Sequence, residues 1–172
     1  LYALFDNTLA IFDLTNPAQL LPIVGDRTRY EYGTDYQLAL AGERLYLLSD
    51  TGVRILDVAN PAAPVELSIW PNDTSTATPS DLAAREGFFY QLEPLCRPTE
   101  TCPTARLRRI DATNPTAPVQ VDSLEVPAPA SALAWYGDLL VVLGDDLSFV
   151  DLTDTESMVL AGQFPTPGSA RS

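Results

Sequence analysis

The sequence contains no His and no Lys, so all ten basic residues are Arg, set against 23 acidic residues for a formal net charge of −13. Without His there is no Ser-His-Asp triad, no Cys-His nucleophile pair and no His-ligated metal site. Without Lys, a Schiff base and a P-loop are excluded as well. So few cations argue against a nucleic-acid footprint, which needs them clustered. No run approaches the ~18 consecutive apolar residues of a membrane-spanning helix. The chain opens at Leu1 without Met, basic n-region or signal-like stretch, and reads as a mature or trimmed segment. There are only two Cys, Cys96 and Cys102, flanked by Pro98 and Pro103. Their spacing suits a small disulfide loop, and no further Cys or His exists to complete a metal site. A disulfide implies an oxidising compartment: periplasm, cell surface or exterior.

What is present is a folded composition. Of 172 residues, 46% are hydrophobic, enough for a sizeable core. The dominant signal is internal repetition. Ile11-Phe12-Asp13-Leu14-Thr15-Asn16-Pro17 recurs as Ile55-Leu56-Asp57-Val58-Ala59-Asn60-Pro61 and as Arg109-Ile110-Asp111-Ala112-Thr113-Asn114-Pro115. A degenerate copy, Phe149-Val150-Asp151-Leu152-Thr153-Asp154-Thr155, lacks the Pro. Asp13, Asp57, Asp111 and Asp151 lie 44, 54 and 40 positions apart, and the long interval contains the Cys96–Cys102 insertion. Removing that insertion restores a period of roughly 40–45, in the range of four-stranded propeller blades.

The second copy is the clearest. It predicts strand A over Tyr36–Ala41, B over Arg44–Ser49, C over Val53–Val58 and D over Val65–Trp70. Each run is short, rich in β-branched and aromatic residues, and bounded by Gly, Pro or Asn. Runs such as Leu45-Tyr46-Leu47-Leu48 are apolar at every position, as in strands buried on both faces. The 15 Pro fall almost entirely between the proposed strands, where no ladder donor is needed. Ser80-Asp81-Leu82 is the one place where a short helical turn could start. The expected fold is all-β: four-stranded antiparallel blades of a β-propeller, forming an incomplete ring. Blade 1 with its linker takes 1–35 and lacks strand A, blade 2 takes 36–79, blade 3 with its insertion 80–129, blade 4 130–164, and a tail 165–172.

The motif of an aliphatic residue, any residue and Asp, then Asn-Pro three residues later and soon a second Pro, resembles the LVIVD-repeat family. Val53 to Pro64 matches it well, with Gly52 just before; Arg109 to Pro118 matches over its core; the first copy has Leu20 where the second Pro would stand. The resemblance implies a propeller of four-stranded blades, commonly in secreted or surface proteins, and no one shared enzymatic activity. Local physics gives the motif its reason. Asp at the end of strand C can accept backbone N–H groups of the following turn, and Asn-Pro starts that turn. A residue recurring once per blade is expected to be structural, since catalysis needs it once.

No catalytic residue, cofactor or metal is assigned. The acidic stretch Asp145-Asp146 and Asp151–Glu156 fits a hairpin as well as a Ca²⁺ site. Arg106 and Arg108 share one strand face and Arg109 the other, all expected to pair with the acidic excess. Trp70 and Trp135 are expected between blades. Tyr30, Tyr32 and Tyr36 form the best candidate interaction surface. Asn72-Asp73-Thr74 matches the glycosylation sequon, a match that also arises by chance.

The function expected is a non-enzymatic scaffold or protein-interaction module, extracellular, at the cell surface or in the periplasm. One alternative is a ligand-binding or enzymatic propeller completed by blades not in this chain. Another is a subunit of a surface assembly. A protein partner, further blades or a second copy is expected over the open first blade; nucleic acid and membrane insertion are not.

Overall fold

A computed structural model describes residues 1–5, 8–16, 18, 21–23, 28–29, 35–73, 78–95, 103–154 and 157–166. Sixteen strands and no helix are formed by these residues. Blade 2 runs β5 (Asp35–Ala41), β6 (Arg44–Ser49), β7 (Gly52–Asp57) and β8 (Val65–Pro71). Blade 3 runs β9 (Asp81–Arg85), β10 (Phe88–Pro94), β11 (Thr104–Asp111) and β12 (Val119–Pro127). Blade 4 runs β13 (Ala130–Tyr136), β14 (Leu139–Gly144), β15 (Asp146–Asp151) and β16 (Val159–Pro165). In all three, sequential strands pair antiparallel as a meander. Asp81 opens β9 as a strand residue, so no helical turn starts there.

Blade 1 is narrower. Its β1 (Tyr2–Phe5) pairs with β2 (Thr8–Asp13), and two short pieces, β3 (Leu21–Pro22) and β4 (Thr28–Arg29), pair with the ends of β2. Leu1 and Phe12 exchange backbone hydrogen bonds on the β1 side of β2. The two short pieces therefore share the opposite side and act as one interrupted strand D. Among the described residues, the position of strand A beside β1 is empty.

The hairpin turns between strands A and B follow from Gly. Glu86 (φ 51°) and Gly87 (φ 84°) both take positive φ, as a type I′ turn requires, whereas Gly42 and Gly137 do so alone at the first turn position. At Gly52 and Gly144 the need is space. A Cβ there would lie 2.2 Å from the Trp70 carbonyl oxygen and 1.9 Å from that of Pro129.

Burial follows the two-residue alternation of strands. Leu45 and Leu47 turn to Leu9 and Ile11 of blade 1. Tyr46 and Leu48 turn the other way, to Leu82, Ala84, Phe89 and Ile110 of blade 3. Tyr90, Leu92 and Leu107 of blade 3 then meet Leu140, Val142 and Val150 of blade 4. Among the described residues the core is thus three apolar layers, each between two blades, and none of them joins blade 4 back to blade 1. The ring is open. Each of blades 2 to 4 also carries a bulge opposite the residue before its repeat Asp: between Ile55 and Leu56, Arg109 and Ile110, and Phe149 and Val150.

Candidate functional site

The repeat Asp residues serve their own turns. Asp13, Asp57, Asp111 and Asp151 accept the backbone N–H two residues on, from Thr15, Ala59, Thr113 and Thr153, at 2.8–2.9 Å. The Asn of the motif repeats the pattern: Asn16, Asn60 and Asn114 accept from Ala18, Ala62 and Thr116. Asp57 also holds Arg44 at 2.9 Å. The hydrogen bonds from Thr153 hold the Asp151 carboxyl below its usual range.

A second set of carboxylates ties blades together. Asp81 accepts from Leu82 in its own strand and from Leu133 of blade 4 at 2.6 Å. Asp122 likewise accepts from Ser123 and from Met158 of blade 4. Between blades 2 and 3, Asn72 donates to the Ser49 and Asp50 carbonyls and accepts from Gln91 at 2.6 Å. The sequon asparagine is therefore held from both ends of its amide, a structural use of the side chain. Fully buried Glu93 bonds Arg108 at 2.8 Å and Arg106 at 3.4 Å, and Arg108 also reaches Asp73 at 3.1 Å. Burial pushes the Glu93 carboxyl up, against the pull of the two arginines.

Arg109 departs from the expected pairing. It lies on the other face of β11, 3% exposed, and among the described residues no carboxylate pairs with it. Its Nη1 donates to the Asp154 carbonyl at 2.8 Å, its Nε has no acceptor, and its guanidinium carbon sits 4.3 Å from the Phe88 ring centre and 5.9 Å from that of Tyr90. Beside it opens a cleft of about 340 Å³ between blades 3 and 4. Tyr90 and Trp135 meet edge to face in its wall, with centres 5.5 Å apart. Arg85 stacks 4.8 Å from Trp135, donates to the Gly137 carbonyl and pairs with Asp138 at the mouth. Leu152 and Thr153 complete the lining. Burial raises the Tyr90 hydroxyl pKa, partly offset by Arg109 and Arg85. A shallower hollow of about 390 Å³ shares Arg85, Glu86 and Trp135 and runs on to Leu40 and Gly42 of blade 2.

Trp135 thus does pack against the blade 3–4 layer, and in the same position walls the cleft. Sequence reasoning missed this site because its aromatics come from strands A and B while Arg109 comes from C, with no local motif. The available signal was Arg109 alone on its face of β11. Cys96, Cys102, Tyr30 and Tyr32 lie outside the described residues, and Tyr36 enters β5 at a register shift between Asp35 and Gln37. Asp145 sits in the turn into β15 and Asp146 opens that strand, and among the described residues no three His, Cys, Asp or Glu gather as a metal site.

Comparison with known proteins places this geometry. Residues 36–70 match the LVIVD repeat model. A Lactobacillus plantarum protein is similar over 95% of this chain and 50% of its own, with 14% identity and a TM-score of 0.68. Myxococcus xanthus glutaminyl cyclase is similar over 84% of this chain and 57% of its own, at 17% identity and a TM-score of 0.53. A luciferin-regenerating enzyme is similar over 94% and 54%, at 14% identity and a TM-score of 0.51. At these identities the likeness concerns the fold, and the chain spans about half the length of each. No curated protein matches the sequence. Blade 2 thus matches the LVIVD repeat, within an arc of β-propeller blades.

Proposed function

We propose that this chain is a non-enzymatic scaffold or protein-interaction segment of a β-propeller outside the cytoplasm, taking up further blades or a protein partner at its two ends. The end surfaces carry this reading. On the outer face of blade 4, register aligns Val141 with Phe149, Leu143 with Leu147, and Leu147 with exposed Phe164. Val141 is buried, Leu143, Leu147 and Phe149 are half-buried and Phe164 is exposed; none of them belongs to a layer between two blades, yet they match in kind the residues that join the other blades. At the other end, among the described residues, β1 has no strand on its outer edge, which makes that edge a template for a further strand. The polar repeat residues support the same reading, because the repeat Asp is engaged by a backbone N–H in all four turns and the Asn in three. A Cys96–Cys102 disulfide belongs to the proposal and would fix the compartment.

Sedimentation of the chain over a concentration series tests it. Concentration-dependent association is expected, abolished by Leu147→Asp with the circular-dichroism spectrum unchanged. A wild-type chain that stays monomeric at its highest attainable concentration would count against ends built for docking.

A further inference from the structure

We propose that the cleft between blades 3 and 4 binds a small aromatic monocarboxylate, anchored on Arg109. The starting point is charge. Every other arginine whose side chain is described has a carboxylate partner: Arg44 with Asp57, Arg54 with Glu66, Arg85 with Asp138, and Arg106 and Arg108 with Glu93. Arg109 is among the most buried of them and has none. Burying a guanidinium without a counter-charge is costly, and two aromatic faces and one carbonyl compensate only in part. Among the described residues no carboxylate pairs with Arg109, although Glu86 and Asp138 line the same cleft and Asp154 lies close enough to offer its backbone carbonyl. The missing counter-charge therefore belongs to something that enters the cleft.

The cleft defines what that is. Its volume of about 340 Å³ is at the small end of ligand pockets, room for one substituted ring. Phe88, Tyr90 and Trp135 give flat apolar walls suited to stacking or edge-on contact with such a ring. Glu86 and Asp138 at the lining repel a second negative charge, which selects a monoanion over a dianion such as phosphate. Arg85 already serves Asp138 and the Gly137 carbonyl, so the anchor falls to Arg109. A carboxylate suits a guanidinium by shape as well as charge.

Phenylacetate, benzoate and indole-3-acetate are the probes, titrated by calorimetry and by Trp fluorescence. Saturable binding of at least one is expected, with inorganic phosphate and phenethylamine giving none. Arg109→Met is expected to weaken binding by at least about tenfold, the size of one charge-assisted contact. Because that variant alters a buried side chain, Thr153→Glu is the second test. Thr153 is exposed at the cleft lining. A carboxylate there supplies Arg109 with its counter-charge from within and is expected to abolish binding with the circular-dichroism spectrum unchanged. The proposal is overturned if no monocarboxylate binds saturably, if phosphate binds as well as they do, or if both variants bind like the wild type.

Discussion

At the scale of the residue, the chain uses one device four times: a carboxylate that caps the turn after strand C. Asp111 isolates it, since its oxygen accepts from the Thr113 N–H and hydroxyl and has no ion pair. Asp111→Ala is expected to cost about 1 kcal/mol in urea unfolding, as for other side-chain caps, and Asp111→Asn a fraction of that. Asp151 adds a pH signature. Its pKa is held low in the folded chain, so its stabilisation is present above the ordinary aspartate value and fades as pH falls through the folded value. Asp151→Asn is therefore expected to flatten the acid limb of the stability–pH curve, while a superimposable limb would refute the assignment. Glu93 has the opposite sign: with its pKa raised, ionising it in place works against the folded state as pH climbs past the unfolded value. Its removal is costly nonetheless. Glu93→Ala leaves Arg108 buried beside a single partly exposed Asp73, and breaking such a pair costs about 3–5 kcal/mol. Replacing both by apolar residues, Glu93→Leu with Arg108→Met, is expected to recover much of that in the same unfolding assay.

At the scale of the element, strands and turns were legible because their causes are local. The proposed strand B of blade 2 matches β6 residue for residue, and C and D match β7 and β8 to within one at each end. Alternation and Gly and Pro punctuation need no knowledge of the rest of the chain. Two kinds of feature were not legible. The bulges beside each repeat Asp leave no compositional trace, since an extra residue in strand D reads as ordinary strand. The inter-blade ties of Asp81 and Asp122 pair residues 52 and 36 positions apart. The candidate cleft is of this second kind: Arg109 was noticed, but Phe88 and Tyr90 come from the neighbouring strand and Trp135, Leu152 and Thr153 from the next blade. Close backbone approach is a third, intermediate case. Gly144→Ala forces a Cβ against the Pro129 carbonyl and is expected to destabilise by about 1–3 kcal/mol, measured as a fall in the urea midpoint.

At the scale of the whole molecule, the arc carries a net charge of −13 and two ends that resemble its joined faces. Self-repulsion opposes end-to-end contact, so raising salt is expected to strengthen association of the chain, an effect that light scattering would follow directly. A loss of association with salt would instead point to ion pairs at the ends. The alternation along β6 has a further consequence for how such a chain can change length. Leu45 and Leu47 serve one layer while Tyr46 and Leu48 serve the next, so inserting or deleting one residue in that strand exchanges the contents of two cores at once. Length variation is thereby confined to two forms. It can enter between strands, as in the segment from Pro94 to Thr104, or arrive as an entire blade that brings both of its faces with it. Growth of this molecule is quantised, and its unit is the repeat itself.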